Sequence, residues 1–252
     1  DLGHIQNDRY DPSSKAILKV ALTLKPRNKT ESTALRILQN WDGHMNEGPA
    51  PLIYYALYIE TLKSTFLDEL GSEMFDDYLN FVELGYNNGL HAIINNNKSP
   101  FWDNISTDEI ESRNKIFQQS FSKALKNLAI LGDDIETLDW VSIHSVEFQH
   151  PLGQFQPLHW LFSRGPIGFG GSTATIANSR VSLTTPFKTI SGTSFRFLAD
   201  LSDLNKSRSS IPTGISGHPL SPHYFDQNDL WLKGTTHLLL GQQVGRKLIL
   251  QP

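Results

Sequence analysis

Residues 214–231 read GISGHPLSPHYFDQNDLW. Gly214, Gly217, Pro219 and Pro222 frame two histidines, His218 and His223. An acidic, aromatic run, Phe225 to Trp231, then leads toward an apolar segment. Prolines fix φ and withhold a donor, and glycines allow tight turns. The stretch therefore reads as a rigid connector that delivers the chain to a closing helix near Asp226–Lys233. Histidines beside carboxylates have three readings: metal ligands, a general base, or hydrogen-bonded turn residues.

Upstream of this connector the chain is rich in Gly, Ser, Thr and Pro, and its apolar runs are short. Val141–Phe148, Ser172–Ala177 and Ser194–Leu201 read as strands separated by turn signals. The first half differs. Ile17, Leu18, Ala21 and Leu24 recur at helical spacing until Pro26. Asn28 and Glu31 form a capping pair for a helix carrying Ala34, Leu35, Leu38 and Trp41, which ends at Gly43. A third helix begins near Pro51 and runs toward Leu70-Gly71. Further helices are expected over 74–94 and 107–131, the latter with Asp108, Glu109 and Glu111 in its first turn. The pattern is α+β: a mainly helical region over 1–132 and a strand-rich region over 133–252, ending in the closing helix.

The chain has 252 residues, a net charge of −4 and no cysteine. That length supports a substantial core. Basic residues are scattered, so nucleic acid is not an expected partner. No apolar run reaches membrane-spanning length and no signal-peptide pattern opens the chain, so no membrane partner is expected. The absence of cysteine removes disulfides, thiolate catalysis and Cys-type zinc sites. The first residue is Asp1 rather than methionine, which suggests a processed product or an excised segment.

His144, His150 and His159 fall within sixteen residues, but their spacing matches no compact zinc motif such as His-Glu-x-x-His. Local turn roles are expected, with no metal and no cofactor. Gly168-Phe169-Gly170-Gly171-Ser172-Thr173 could cradle a phosphate. No Lys-Ser/Thr pair follows, so a tight turn before a strand is expected instead. No Gly-x-Ser-x-Gly elbow marks a nucleophile.

Several segments, in order, carry a resemblance. They are Leu38 to Gly43, Phe101-Trp102-Asp103, Ser112 to Ile116, Ser120 to Leu125, and Trp140 with Ile143-His144. They continue with Phe148 to Gly153, Ser194-Phe195-Arg196 with Asp200 to Asp203, and the connector Gly214 to Gln227. Together they resemble the C-terminal part of the β-subunit in the penicillin acylase (penicillin amidase) family of N-terminal-nucleophile hydrolases.

The resemblance implies an αββα sandwich that hydrolyses an amide, releasing an acyl group from an amine. It also implies self-cleavage of a precursor, whose new N-terminal serine attacks with its own α-amino group as base. An oxyanion hole completes such a site. Asp1 offers no hydroxyl, and the family's nucleophile and oxyanion asparagine lie upstream of the matching segments. This chain is therefore expected to be catalytically incomplete alone.

Asp200 falls where some relatives carry a carboxylate that orients a histidine near the nucleophile; otherwise it ends a strand and caps a turn. Arg196, on the same strand face, would pair with it. The implied partners are the N-terminal portion or another subunit of the same enzyme and a small acylated amine. Apolar surface left uncovered would favour self-association. Family habit implies a periplasmic or secreted location. A non-catalytic binding module derived from such an enzyme is the alternative, and a histidine-based metallohydrolase a third reading.

Overall fold

The computed structural model describes residues 2–83, 89–185 and 187–239. In chain order the helices are α1 (Leu2–Gln6), α2 (Ser14–Ala21), α3 (Lys29–Gln39), α4 (Pro49–Glu83), α5 (Gly89–Ile93), α6 (Arg113–Leu128), α7 (Trp140–Ile143), α8 (Leu158–Phe162) and α9 (Asn228–Leu232). The strands are β1 (Ser145–Phe148), β2 (Arg164–Gly168), β3 (Ser179–Val181), β4 (Thr189–Gly192), β5 (Arg196–Leu198), β6 (Arg208–Ser210) and β7 (His237–Leu238). The chain divides into two compact units. One is formed by residues 8–149 with 163–192, the other by 1–7, 150–162 and 193–252.

The larger unit is built on α4 and α6, which make its most extensive element-to-element contact. Leu52, Ile53, Leu57 and Leu62 from α4 meet Phe117, Phe121 and Ala124 from α6, all of them buried. Fully burying each large apolar side chain contributes about 1.5–3 kcal/mol, and this helix pair supplies the unit's centre. Gly71 interrupts α4 with φ 71° and ψ 164°. That left-handed conformation suits a residue without Cβ, and it divides the long helix into two arms where the sequence predicts a stop. Residues 84–88 of the segment expected to be helical over 74–94 lie outside the described residues.

Helix starts follow their caps. Asn28 accepts a hydrogen bond from the Glu31 N–H (2.9 Å), as the capping pair predicts. Such a cap is worth about 1 kcal/mol. The helix expected over 107–131 begins instead at Arg113, where Ser112 accepts from the Lys115 N–H. The acidic residues before it serve a loop. Asp103 Oδ1 accepts from the Glu111 N–H (3.0 Å), and Glu111 Oε2 accepts from the Asn104 N–H (3.1 Å). Those carboxylates satisfy loop donors that a helix would have directed to its own carbonyls.

The strands of this unit are short. β1 pairs antiparallel with β2 (Ser145 opposite Gly168), and β3 with β4 (Ser179 opposite Gly192). A single parallel bridge, Ser145 to Lys188, links the two pairs. The strand expected over Val141–Phe148 is half helix. Asp139 Oδ2 accepts from the Ser142 N–H (2.9 Å) and its Oγ–H (2.6 Å), starting α7 before β1 begins. The strand expected over Ser172–Ala177 is a turn. The Ser172 N–H donates to Thr175 Oγ1 (3.0 Å), and Thr175 Oγ1 donates in turn to Ser172 O or Ala177 O. A side-chain hydroxyl thus replaces the ladder partner a strand would need.

The second unit contains the antiparallel sheet β5–β6–β7, with Arg196 opposite Ser210 and Arg208 opposite Leu238. The strand expected over Ser194–Leu201 is shorter, Arg196–Leu198. Trp231 of α9, 2% exposed, anchors this unit. Its indole N–H donates to Thr193 O (2.8 Å). The expected closing helix forms over Asn228–Leu232.

Candidate functional site

Asp200 lies two residues past the end of β5, in the turn that follows. Its Oδ1 accepts from the Ser202 N–H (3.0 Å), the Ser202 hydroxyl (2.6 Å) and the Asp203 N–H (3.3 Å). The Ser202 hydroxyl first, then the Ser202 N–H, hold this partly exposed carboxyl below the usual range; the nearby Lys206 charge acts in the same direction. An ionised carboxylate fixed by its own turn is the result. It lines an open cleft of about 720 Å³, together with Gln6, Leu201, Lys206, Arg208 and Thr235. Arg196 is directed elsewhere. It is buried, its guanidinium lies over the Trp231 ring (5.3 Å to the centroid), and Nη1 donates to Trp231 O. Aromatic stacking and a carbonyl partner replace the carboxylate pairing read from strand alternation.

The histidines take local roles. His150 Nδ1 accepts from the Leu152 N–H (3.1 Å), and its ring stacks on Phe162. His159 sits edge-on to Trp160. Within the connector, His218 Nδ1 accepts from the Leu220 N–H (3.2 Å), and His223 Nδ1 meets Asp226 Oδ2 at 2.8 Å. Among the described residues no cluster of three or more His, Asp or Glu side chains is arranged to hold a metal ion.

His144 is wholly buried. Its Nδ1 contacts the Phe169 carbonyl, which can only accept, so Nδ1 carries the proton. Nε2 then accepts from the Thr189 hydroxyl (2.9 Å), with Ser179 Oγ at 3.3 Å. Burial pushes its pKa down to about 4. Ser179 is buried as well, so this serine–histidine contact has no access to a substrate from solvent and works as a structural clasp.

The glycine-rich loop is closed in a similar way. The Phe169 N–H donates to His144 O (3.0 Å), and the Gly171 N–H to Met45 O (2.7 Å). Those donors are thereby committed to protein carbonyls rather than to a phosphate. A Cβ at Gly168 would lie 2.3 Å from the Val141 carbonyl oxygen, so the loop's close approach requires glycine there.

Sequence reasoning missed Asp11. It is 3% exposed, and Oδ2 accepts from the Ser172 hydroxyl (2.9 Å), while the Ser13 N–H donates to Oδ1 (2.9 Å). Burial raises its pKa against those hydrogen bonds. The signal within reach was Asp11-Pro12-Ser13-Ser14, a turn entering a helix. Nothing local pointed to Ser172 far along the chain.

The chain matches the family profile described as penicillin amidase over residues 1–245, and it belongs to that family. It is 30% identical over 231 residues to an acyl-homoserine lactone acylase, QuiP, of Pseudomonas putida, covering 88% of this chain and 28% of that protein. A penicillin acylase 2 proenzyme of Pseudomonas sp. is 35% identical over 116 residues, covering 44% of this chain and 15% of that protein. A thermostable penicillin G acylase from Alcaligenes faecalis shares the fold with a TM-score of 0.50 at 14% identity, over 97% of this chain and 48% of that one. The chain thus spans little more than a quarter of the length of the acyl-homoserine lactone acylases it matches. Mixed helices and antiparallel strands agree with the α+β expectation.

Proposed function

We propose that this chain is the C-terminal segment of an amide hydrolase that releases an acyl group from a small acylated amine. The observation that carries the reading is the penicillin amidase family match over residues 1–245; the acylase relatives favour the same chemistry. In this reading the chain contributes helices and strands to an αββα sandwich. A nucleophilic N-terminal residue, exposed by processing of a precursor, and the oxyanion hole come from polypeptide outside residues 1–252. Asp200 serves as the orienting carboxylate for a histidine supplied by that same polypeptide. Its low pKa keeps it ionised at neutral pH, as that role requires. The enzyme works in the periplasm or outside the cell.

Exposed apolar side chains support the idea of a missing covering layer. Trp160, Leu201 and Ile215 are 81%, 89% and 80% exposed, and a covering layer would take them out of water. The isolated chain would accordingly self-associate.

The test is hydrolysis of acyl-homoserine lactones and acyl p-nitroanilides by the full-length protein, compared with residues 1–252 alone. Turnover by the full-length protein and none by the shorter chain is the expected result. Turnover by the shorter chain would remove the claim of incompleteness, and none by either would remove the hydrolase reading.

A further inference from the structure

Asp200 divides its two carboxylate oxygens between separate tasks. Oδ1 takes every donor of the turn: the Ser202 N–H (3.0 Å), the Ser202 hydroxyl (2.6 Å) and the Asp203 N–H (3.3 Å). Oδ2 takes no hydrogen bond from any described residue, and the residue borders the open cleft. The neighbouring carboxylate does not compete for these donors. Asp203 Oδ1 accepts from the Asn205 N–H (3.1 Å) and from its side-chain amide (3.1 Å), and Oδ2 lies 3.6 Å from Lys206 Nζ.

The main chain of Asp200 is anchored by other means. Its N–H donates to Ser207 Oγ (3.2 Å). Ser207 is buried and held in turn: its N–H donates to Leu204 O (3.1 Å), and its carbonyl accepts from the Leu239 N–H (2.9 Å). Leu198, two residues before Asp200, is in register with Arg208 of β6. The backbone at Asp200 is therefore tied to β6 whatever side chain residue 202 carries. Backbone donors alone close an aspartate turn, so the Ser202 hydroxyl is surplus to the fold. It adds a short, charge-assisted bond from a side chain to one chosen oxygen. The last torsion of an aspartate is broad, and this bond narrows it.

We infer that Ser202 is a positioning residue, whose hydroxyl fixes the Asp200 carboxylate so that Oδ2 is the oxygen offered to the histidine. The inference rests on the proposed reading of Asp200 as an orienting carboxylate. The oxygen that receives an imidazole N–H sets the tautomer and angle of the ring. A carboxylate clamped on one oxygen presents the other at a constant angle. A rotating one spreads the ring over many orientations, few of them aligned for proton transfer.

Steady-state kinetics of the full-length protein on an acyl p-nitroanilide test this. Ser202→Ala is expected to lower kcat about 10-fold with KM unchanged, and Ser202→Thr, which keeps the hydroxyl, to restore it. In an Asp200→Asn background, Ser202→Ala should add no further loss, because the two residues act as one unit. Full kcat in Ser202→Ala alongside an impaired Asp200→Asn would overturn the inference and leave Asp200 its role. An equal loss in both backgrounds would assign Ser202 to the folding of the turn and overturn it as well. Wild-type protein without turnover, or Asp200→Asn with full kcat, would defeat the functional reading itself, and the inference would fall with it.

Discussion

His144 lies flat against Trp140, with ring centroids 4.5 Å apart and planes 15° from parallel. The stack sits where α7 hands the chain to β1. It places the imidazole between the Phe169 carbonyl on one side and the Thr189 hydroxyl on the other. One buried ring thereby ties together the glycine-rich loop, β4 and the end of α7.

That geometry requires neutral histidine, so stability should depend on acid. The folded pKa, about 4, lies below the ordinary 6.5. Between those values the unfolded chain binds the extra proton, and stability falls as pH drops from about 6.5 to 4. The full effect is about 3 kcal/mol. Urea unfolding at a series of pH values measures it. A His144→Gln variant should lose this part of the pH dependence, and an unchanged slope would show that other groups produce it.

Glu31 gives a second case of the same sign at lower pH. The side chain is buried, and burial alone would raise its pKa. Hydrogen bonds from Ser122 and from the Arg27 N–H, together with the Arg27 charge, outweigh that and hold the pKa low. Its contribution is present above the unfolded pKa of 4.5 and is lost as pH falls through the lower folded value. Ser122→Ala removes one hydrogen bond to this carboxylate (2.6 Å) and should cost about 2 kcal/mol at neutral pH. The difference should shrink in acid, and thermal unfolding at both pH values reads it.

Gly214 should not accept a side chain. A Cβ there would stand 2.2 Å from the His223 carbonyl oxygen and 2.7 Å from Asp226 Oδ1. The same turn is pinned by the Ser216 N–H donating to His223 O (3.0 Å). Gly214→Ala is expected to destabilise by about 2 kcal/mol through backbone displacement. Gly217→Ala, with open space around it, serves as the control. Equal melting temperatures for the two variants would contradict the packing account.

Asp200→Asn separates the two roles read for that residue. The amide oxygen can still accept from Ser202 and Asp203, so the turn should survive and the melting temperature change little. If the carboxylate orients a histidine in the complete enzyme, kcat should drop about 100-fold or more. Unchanged kcat would leave Asp200 as a turn-forming residue only.

The parts of the fold legible in sequence were those set by neighbours in the chain. Asn28 caps Glu31 three residues on, Gly71 breaks α4, and α9 follows the connector, all through local chemistry. The start of α6 was misplaced because Asp108, Glu109 and Glu111 look like first-turn carboxylates, whereas Glu111 accepts from the Asn104 N–H in the loop before the helix. Ser172–Ala177 looked like a strand because β-branched residues also suit a turn in which a threonine hydroxyl takes the ladder's place. Asp11 and His144 were opaque for a different reason. Their partners, Ser172, Phe169 and Thr189, are distant in sequence, and no periodicity encodes such pairs. Asp200 was singled out by family resemblance, and its local hydrogen bonds are those of an acidic residue closing a turn.

The interleaving of the two units along the chain bears on how the protein breaks. Each unit is assembled from separated stretches, with crossings between residues 7 and 8, 149 and 150, 162 and 163, and 192 and 193. No single backbone cleavage can release either unit whole. A cut anywhere between residues 8 and 192 yields two pieces that each carry part of both units.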